Sequence, residues 1–164
     1  MKTPERFDRA LKALVQAFFN DTLINTDCHA CAVGNIVAAG KGLKLLKIDN
    51  PEYSCYYAET ESGYDNGAWF DLSHFKNRDK SKLAIENIAV TGYSYEELLL
   101  IESAFMGNCE LDTSIKMYSK EAVTNCMYNG LMAVVDVLCE IEGLESTEYK
   151  KAFEYTNDSK PVKK

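Results

Sequence analysis

The feature that most constrains the fold is an apolar repeat in the last third of the chain. Beyond residue 120, apolar side chains recur at intervals of three and four positions, at Val123, Met127, Leu131, Val134, Leu138 and Ile141. This period places them on one face of an α-helix, which has to be buried against other elements. Ser119 is a favourable N-cap and Gly143 a favourable stop signal. We therefore predict a long core helix over residues 119–142.

Shorter helices are predicted along much of the remaining chain. Ser94 and Glu97 form the sequence signature of a capping box, in which each side chain bonds the backbone amide of the other residue. Thr3 and Pro4 are favourable as an N-cap and a first helical residue. Gly40 ends a segment of small residues that predicts a buried helix. The predicted helices cover residues 3–19, 28–39, 83–92, 94–105 and 146–155.

The apolar period changes between residues 43 and 75, where turn-forming residues interrupt it at 50–51 and 62–67. Short apolar and aromatic runs between turns are typical of antiparallel strands. We therefore predict a mainly α fold of the α+β class. It is a helical bundle of about five helices with a small two- to three-stranded antiparallel sheet inserted around residues 43–75. Residues 1–155 form a single globular domain, and residues 156–164 a disordered tail.

The composition disfavours several classes of protein. The N-terminus carries charge where a secretory signal needs an apolar stretch, and Asp136 interrupts the longest apolar run. The net charge is −7, and cations cluster only at residues 160–164. Nucleic-acid binding needs a basic surface, so it is not expected. We predict an acidic, soluble, cytoplasmic protein with no nucleic-acid or membrane partner, whose cysteines are mostly reduced thiols.

The most distinctive local motif is Asp27-Cys28-His29-Ala30-Cys31, at the predicted start of a helix. Amides at a helix N-terminus stabilise a thiolate, so Cys28 is a candidate nucleophile. A buried, unreactive thiol is the simpler interpretation. A zinc site needs two further ligands, and none of the other candidates shows a second paired spacing. These candidates are Cys55, His74, Cys109, Cys126 and Cys139. We predict no metal site and keep a structural metal as an alternative.

An Asp-Cys pair at the start of a helix, followed later by a histidine on an extended segment, resembles the nucleophile region of the NlpC/P60 cysteine peptidases. The resemblance implies that Cys28 attacks the substrate and that His74 removes its proton. It covers a small part of the chain. The Ser-Gly that follows the cysteine in that family is replaced by His29-Ala30, and its strand-rich second half by predicted helices. A cysteine-dependent hydrolase is therefore an alternative function.

Aromatic residues are concentrated between residues 51 and 75. Aromatic faces with polar tips suit the stacking of a flat ligand and also suit a protein interface. Ordinary sheet packing explains part of the same pattern, because alternation along a strand sends some of these side chains outward. The candidate ligand-binding residues, which include the neighbouring helix start, are Tyr53, Tyr56, Tyr57, Tyr64, Trp69 and His29.

The sequence contains no glycine-rich phosphate loop, dinucleotide-binding fingerprint or His-Glu-x-x-His motif. Chemistry driven by ATP or nicotinamide is therefore disfavoured, and we expect no cofactor. Our leading hypothesis is a non-enzymatic binding or regulatory protein. Its aromatic segment binds either a small flat ligand, such as a nucleotide, or a protein partner. Homo-oligomer formation is compatible with this hypothesis.

Residues 28–35 and 91–98, with Ile101-Glu102 and Ala104-Phe105, resemble small proteins of phages and prophages in the Bacteroidetes group. The resemblance covers most of the chain. It implies a bacterial cytoplasm, where small phage proteins inhibit or sequester components of host defence.

The hydrolase alternative predicts that iodoacetamide alkylates Cys28 ahead of the other cysteines, at a rate that rises with pH as the thiolate forms. Peptide mass spectrometry after brief labelling measures the order of modification. Slow labelling without preference for Cys28 would exclude the alternative.

Overall fold

The computed structural model describes residues 2–23, 31–49, 54–60, 63–65, 82–108 and 120–154. These contain six α-helices: α1 (Glu5–Phe19), α2 (Ala32–Gly40), α3 (Lys82–Ala89), α4 (Tyr95–Gly107), α5 (Lys120–Glu142) and α6 (Thr147–Lys150). A 3₁₀ turn, Lys151–Phe153, follows α6. The predicted mainly helical class is confirmed. The segment predicted as a helix over 146–155 contains a helix of only four residues, which the 3₁₀ turn then ends.

Three short backbone segments pair as strands between α2 and α3. They are β1 (Lys44–Asp49), β2 (Ser54–Thr60) and β3 (Gly63–Asp65), in the antiparallel order β1-β2-β3. The register places Leu45 opposite Ala58 and Glu59 opposite Tyr64. The prediction of a sheet across the whole of 43–75 stays a prediction, because much of that span lies outside the described residues.

The core lies where α1, α4 and α5 meet. Side chains with no more than 2% exposure line this junction, and they include Phe7, Leu14, Phe18, Leu98, Ile101, Phe105, Met127, Leu131, Val134 and Leu138. The middle of the predicted α5 stripe is therefore buried as expected. Its first member, Val123, is 36% exposed, whereas the neighbouring Thr124 is buried. Phe153 extends the same core to the 3₁₀ turn.

Glycine allows α5 to approach α4 closely. A Cβ atom added at Gly130 would lie 2.8 Å from a ring carbon of Phe105 and 3.0 Å from its carbonyl oxygen. Both distances are shorter than ordinary van der Waals contact. The absence of a side chain at this position therefore sets the distance between the two helices.

Arg6, in the first turn of α1, joins three elements that are distant in sequence. Its Nε donates to the Glu142 carboxylate at 3.1 Å, its Nη2 donates to the same carboxylate, and its Nη1 donates to the Gly92 carbonyl at 2.8 Å. Nη1 also lies 3.5 Å from Glu97. The guanidinium carbon is 4.5 Å from the centroid of the Tyr93 ring, within the range of a cation–π contact. The Glu142 side chain is only 2% exposed, so this carboxylate depends on its arginine partner.

Arg9 binds the same turn one helical turn further along α1. Its Nη2 donates to the carbonyls of Val90 at 3.0 Å and Thr91 at 3.2 Å. The turn leads into α4, where the predicted capping box is confirmed. The Ser94 hydroxyl accepts from the Glu97 amide at 3.1 Å, and the Glu97 carboxylate accepts from the Ser94 amide at 2.9 Å. We call the contacts of Arg6 and Arg9 with residues 90–97 and 142 the arginine clamp.

Helix α5 is also the one helix in the described ranges that is long and apolar enough to cross a membrane by length and composition. The stretch is Glu121–Glu142, with a mean hydropathy of 1.3. The stretch meets these criteria although it contains Asp136, contrary to the sequence-based expectation. Half of the stretch is buried inside the protein, where it packs on α4 and α1 as a core helix does.

Gly130→Ala is expected to lower the free energy of unfolding by about 1–3 kcal/mol, because the new methyl group overlaps Phe105. Gly107→Ala is the matched control, since no atom lies within 4 Å of its added Cβ. The control is expected to leave stability unchanged or raise it by up to about 1 kcal/mol through helix propensity. Urea unfolding followed by circular dichroism measures both. Equal effects would contradict the packing explanation.

Arg6→Gln is expected to lower the free energy of unfolding by about 2–4 kcal/mol, because it leaves the Glu142 carboxylate buried without its ionic partner. The double variant Arg6→Gln/Glu142→Gln removes the buried charge as well. It should be more stable than the single variant in the same urea titration. A double variant that is less stable than Arg6→Gln would refute this account of the clamp.

Candidate functional site

A cavity of about 450 Å³ lies between α1, α2 and the start of β1. We call it the amide pocket. Its lining residues are Ala13, Gln16, Ala17, Asn20, Thr22, Asn35, Ala38, Ala39, Leu43, Lys44 and Leu45. The pocket is therefore placed where the helical body meets the paired strands.

Helix periodicity explains how two helices form its walls. Ala13 and Gln16 of α1 and its C-cap residue Asn20 are spaced by three and four positions, which places them on the same side of the helix. The α2 contribution, from Asn35 to Ala39, repeats the same spacing. Alanine occupies four of the lining positions, and its small side chain leaves open a space that larger side chains would fill.

Asn35 fixes the inner end of the amide pocket. It is 6% exposed, and its Nδ2 donates to the carbonyls of Thr22 and Cys31, each at 3.1 Å. The backbone amide of Thr22 in turn donates to the Ala17 carbonyl at 2.9 Å. The preceding residue, Asp21, has a φ of 60°, the left-handed conformation that often ends a helix. These bonds tie the end of α1 to the start of α2, so the pocket wall is preformed.

Three polar side chains at the open side of the pocket have no partner in the part of the chain that the structure describes. Gln16, Asn20 and Lys44 are exposed lining residues, and none of their side chains is hydrogen-bonded or ion-paired there. The described lining residues include no aspartate or glutamate, and the strand register places the backbone of Glu59 opposite that of Lys44. Two carboxamides and one ammonium group are thus available to a ligand.

A second cavity, of about 610 Å³, follows α5 beside Asn108. It is larger, but most of its polar side chains are already engaged. Asp136 accepts from Ser146 at 2.8 Å and pairs with Lys150 at 2.7 Å, and Asn108 donates to the Ala104 carbonyl at 2.8 Å. We therefore consider the amide pocket the better candidate for ligand binding.

The predicted catalytic pair is not tested. Cys28 and His74 both lie outside the described residues, as do the predicted ligand-binding residues His29, Tyr53 and Trp69. No distance between the thiol and the imidazole follows from the structure. The roles of these residues stay predictions.

The backbone of the three remaining aromatic candidates lies in the described strands. Tyr56 is opposite Lys47 and Tyr57 is opposite Leu46 in the pairing of β1 with β2, and Tyr64 is opposite Glu59 in the pairing of β2 with β3. Their role in ligand binding stays a prediction.

The cysteine motif differs from its prediction at the start of α2. The helix begins at Ala32, and its N-cap is Cys31, whose sulfur accepts a hydrogen bond from the Gly34 amide at 3.3 Å. The sequence predicted that this helix begins at Cys28, whereas its first residue is Ala32. Cys31 is buried, because α2 is packed on nearly all sides.

The other described cysteines show two chemical states. Cys31 and Cys139 are thiols, whereas Cys126 is disulfide-bonded. The expectation of mostly reduced cysteines therefore does not hold for Cys126. Burial, reinforced by nearby Asp136 and Glu145, raises the pKa of the Cys139 thiol. Cys139 is consequently a poor nucleophile at neutral pH.

The part of the chain that the structure describes contains no group of three histidine, cysteine, aspartate or glutamate residues that could hold a metal ion. Comparison with protein-family models, with curated proteins and with solved structures finds no match to this chain. The assignment of a function therefore depends on the chemistry of the amide pocket. The polar residues of the amide pocket form no sequence motif that would identify it in advance.

Proposed function

We propose that this protein is a non-enzymatic binding protein that takes a small ligand in the amide pocket. The observation that carries the proposal is a cavity between α1, α2 and β1 whose lining includes Gln16, Asn20 and Lys44, three side chains without partners of their own among the described residues. The polar side chains would orient a ligand through hydrogen bonds, and the alanine-lined walls would supply apolar contact area. Small-molecule sites commonly combine these two kinds of residue.

The size and chemistry of the lining both favour binding over catalysis. A volume of about 450 Å³ is within the range of sites for small organic ligands. Among the described residues that line the pocket, none is a cysteine, serine, histidine, aspartate or glutamate. Acid–base and nucleophilic catalysis need such groups within hydrogen-bonding distance of each other.

The proposal retains the part of the sequence-based hypothesis that concerns a small flat ligand, such as a nucleotide. A cavity of about 450 Å³ can hold a ligand of that size. The aromatic residues of 51–75 are left to the alternative of a protein partner.

The other sequence-based predictions are kept as proposals. A cytoplasmic location and a phage origin are compatible with a small binding protein that sequesters a ligand or a host component. The hydrolase alternative requires Cys28 and His74 to approach each other. The structural-metal alternative requires ligands outside the described residues.

A thermal-shift screen of the full chain against nucleotides, nucleosides and divalent metal ions tests the proposed site. A ligand at 100 times its Kd is expected to stabilise the native state by about 2.7 kcal/mol. This raises Tm by roughly 5–10 °C in a chain of this size. Ala13→Leu should abolish the shift, because the larger side chain fills the pocket from α1.

The matched control is Ala89→Leu, the same substitution at an exposed position of α3 outside the pocket. It should leave the ligand-induced shift unchanged. A shift that persists in Ala13→Leu would place the ligand elsewhere on the protein. No shift with any compound of the screen would remove the small-ligand proposal.

A further inference from the structure

The outer face of α4 carries large apolar side chains. Leu100 is 57% exposed and Met106 is 44% exposed. A helix that covers one side of a core usually presents polar residues to solvent. Helix α1 follows that rule, since its exposed positions are Glu5, Asp8, Lys12 and Gln16. The packing of this chain therefore does not account for the outer face of α4.

The apolar residues of this face lie close together. Leu99, Ser103 and Met106 are spaced by four and three positions, and Leu100 is three positions before Ser103. All four are on the side of α4 opposite to the residues that it buries in the core. We call them the α4 patch. Its serine lies between larger side chains, an arrangement that accepts a side chain from a facing helix.

Negative charge borders the α4 patch. Residues 83–108 contain four glutamates and no lysine or arginine. Glu96 is exposed one helical turn before Leu100, and it forms no ion pair within the described ranges. Desolvation raises the pKa of the Tyr95 hydroxyl, and the charges of Glu102 and Glu96 raise it further. The patch is therefore apolar at its centre and negative at its edge.

We infer that the α4 patch is an interaction surface for a basic amphipathic helix of a partner protein. The apolar face of that helix covers Leu100 and Met106, and its lysine or arginine side chains pair with Glu96. Leucine and methionine suit this role, because methionine in particular adapts its shape to a facing surface. Charge of opposite sign at the edge of an apolar contact steers the partner and fixes its register. The surface is separate from the amide pocket, since no residue of α4 is among the described residues that line that pocket.

The charge of the α4 patch also argues against two other occupants. A second copy of this chain would bring two negative faces together, and each chain has a net charge of −7. A membrane with anionic lipids would repel the same glutamates. A basic helix is the occupant that complements both the apolar centre and the acidic edge.

Fluorescence anisotropy of labelled peptides with the full chain tests this inference. The probe is a helical peptide of leucine and lysine, about four turns long, with the leucines on one face. The control peptide has glutamate in place of lysine. We expect the lysine peptide alone to bind, and its affinity to fall as salt is added. Leu100→Gln should weaken binding by about tenfold, because it removes apolar contact at the centre of the patch.

Two further pairs of measurements locate the binding site. Ile85→Gln is the matched control for Leu100→Gln, since Ile85 is also a large exposed apolar residue but belongs to α3. It should leave binding unchanged. Glu96→Gln should weaken binding by about threefold. Glu5→Gln, the same change in the first turn of α1, should have no effect. Leu100→Gln should leave urea unfolding unchanged, because its side chain is exposed.

Four results would overturn the inference while the amide pocket keeps its proposed function. The first is no binding of the lysine peptide, and the second is an equal effect of a variant and its control. The third is dimer formation in analytical ultracentrifugation that Leu100→Gln removes, which would assign the patch to a second copy. The fourth is binding to phosphatidylcholine–phosphatidylserine vesicles that the same substitution removes, which would assign it to a membrane.

Discussion

The arginine clamp determines how the helices of this protein are arranged. A planar guanidinium with five donors can bind a carboxylate and a backbone carbonyl at the same time, and Arg6 does so with Glu142 and Gly92. The Glu142 charge is almost fully buried, so it is tolerated only where that arginine is present. The first turn of α1 is thereby fixed against both the start of α4 and the end of α5. Apolar packing alone is non-directional and would not specify this orientation.

The position of the amide pocket follows from the same clamp. Arg9 binds the Val90 carbonyl, and a Cβ atom added at Gly40 would lie 2.4 Å from that same oxygen. The end of α2 therefore abuts the turn that α1 holds from the other side. With α1 and α2 both fixed near residue 90, their alanine-bearing faces enclose the pocket. Asn35 then joins the two helices at the opposite end, so the cavity has rigid walls on two sides.

The first strand contributes to the amide pocket. Leu43, Lys44 and Leu45 follow α2 after the two-residue turn at 41–42, which brings β1 to the pocket without a long connection. The strand then pairs with β2 along its whole length, from Lys44 to Asp49.

The helical class, the capping box at Ser94 and the buried part of the α5 stripe were predictable from the amino-acid sequence. These features depend on residues within a few positions of one another, so local periodicity and capping chemistry are sufficient to predict them. The arginine clamp and the amide pocket emerge from the folded arrangement. Arg6 and Glu142 are separated by 136 positions, and Gln16 and Lys44 belong to different elements, so no local pattern relates them. Their proximity results from the packing of α1 against α2, α4 and α5, which depends on side-chain volume and buried charge across the whole chain.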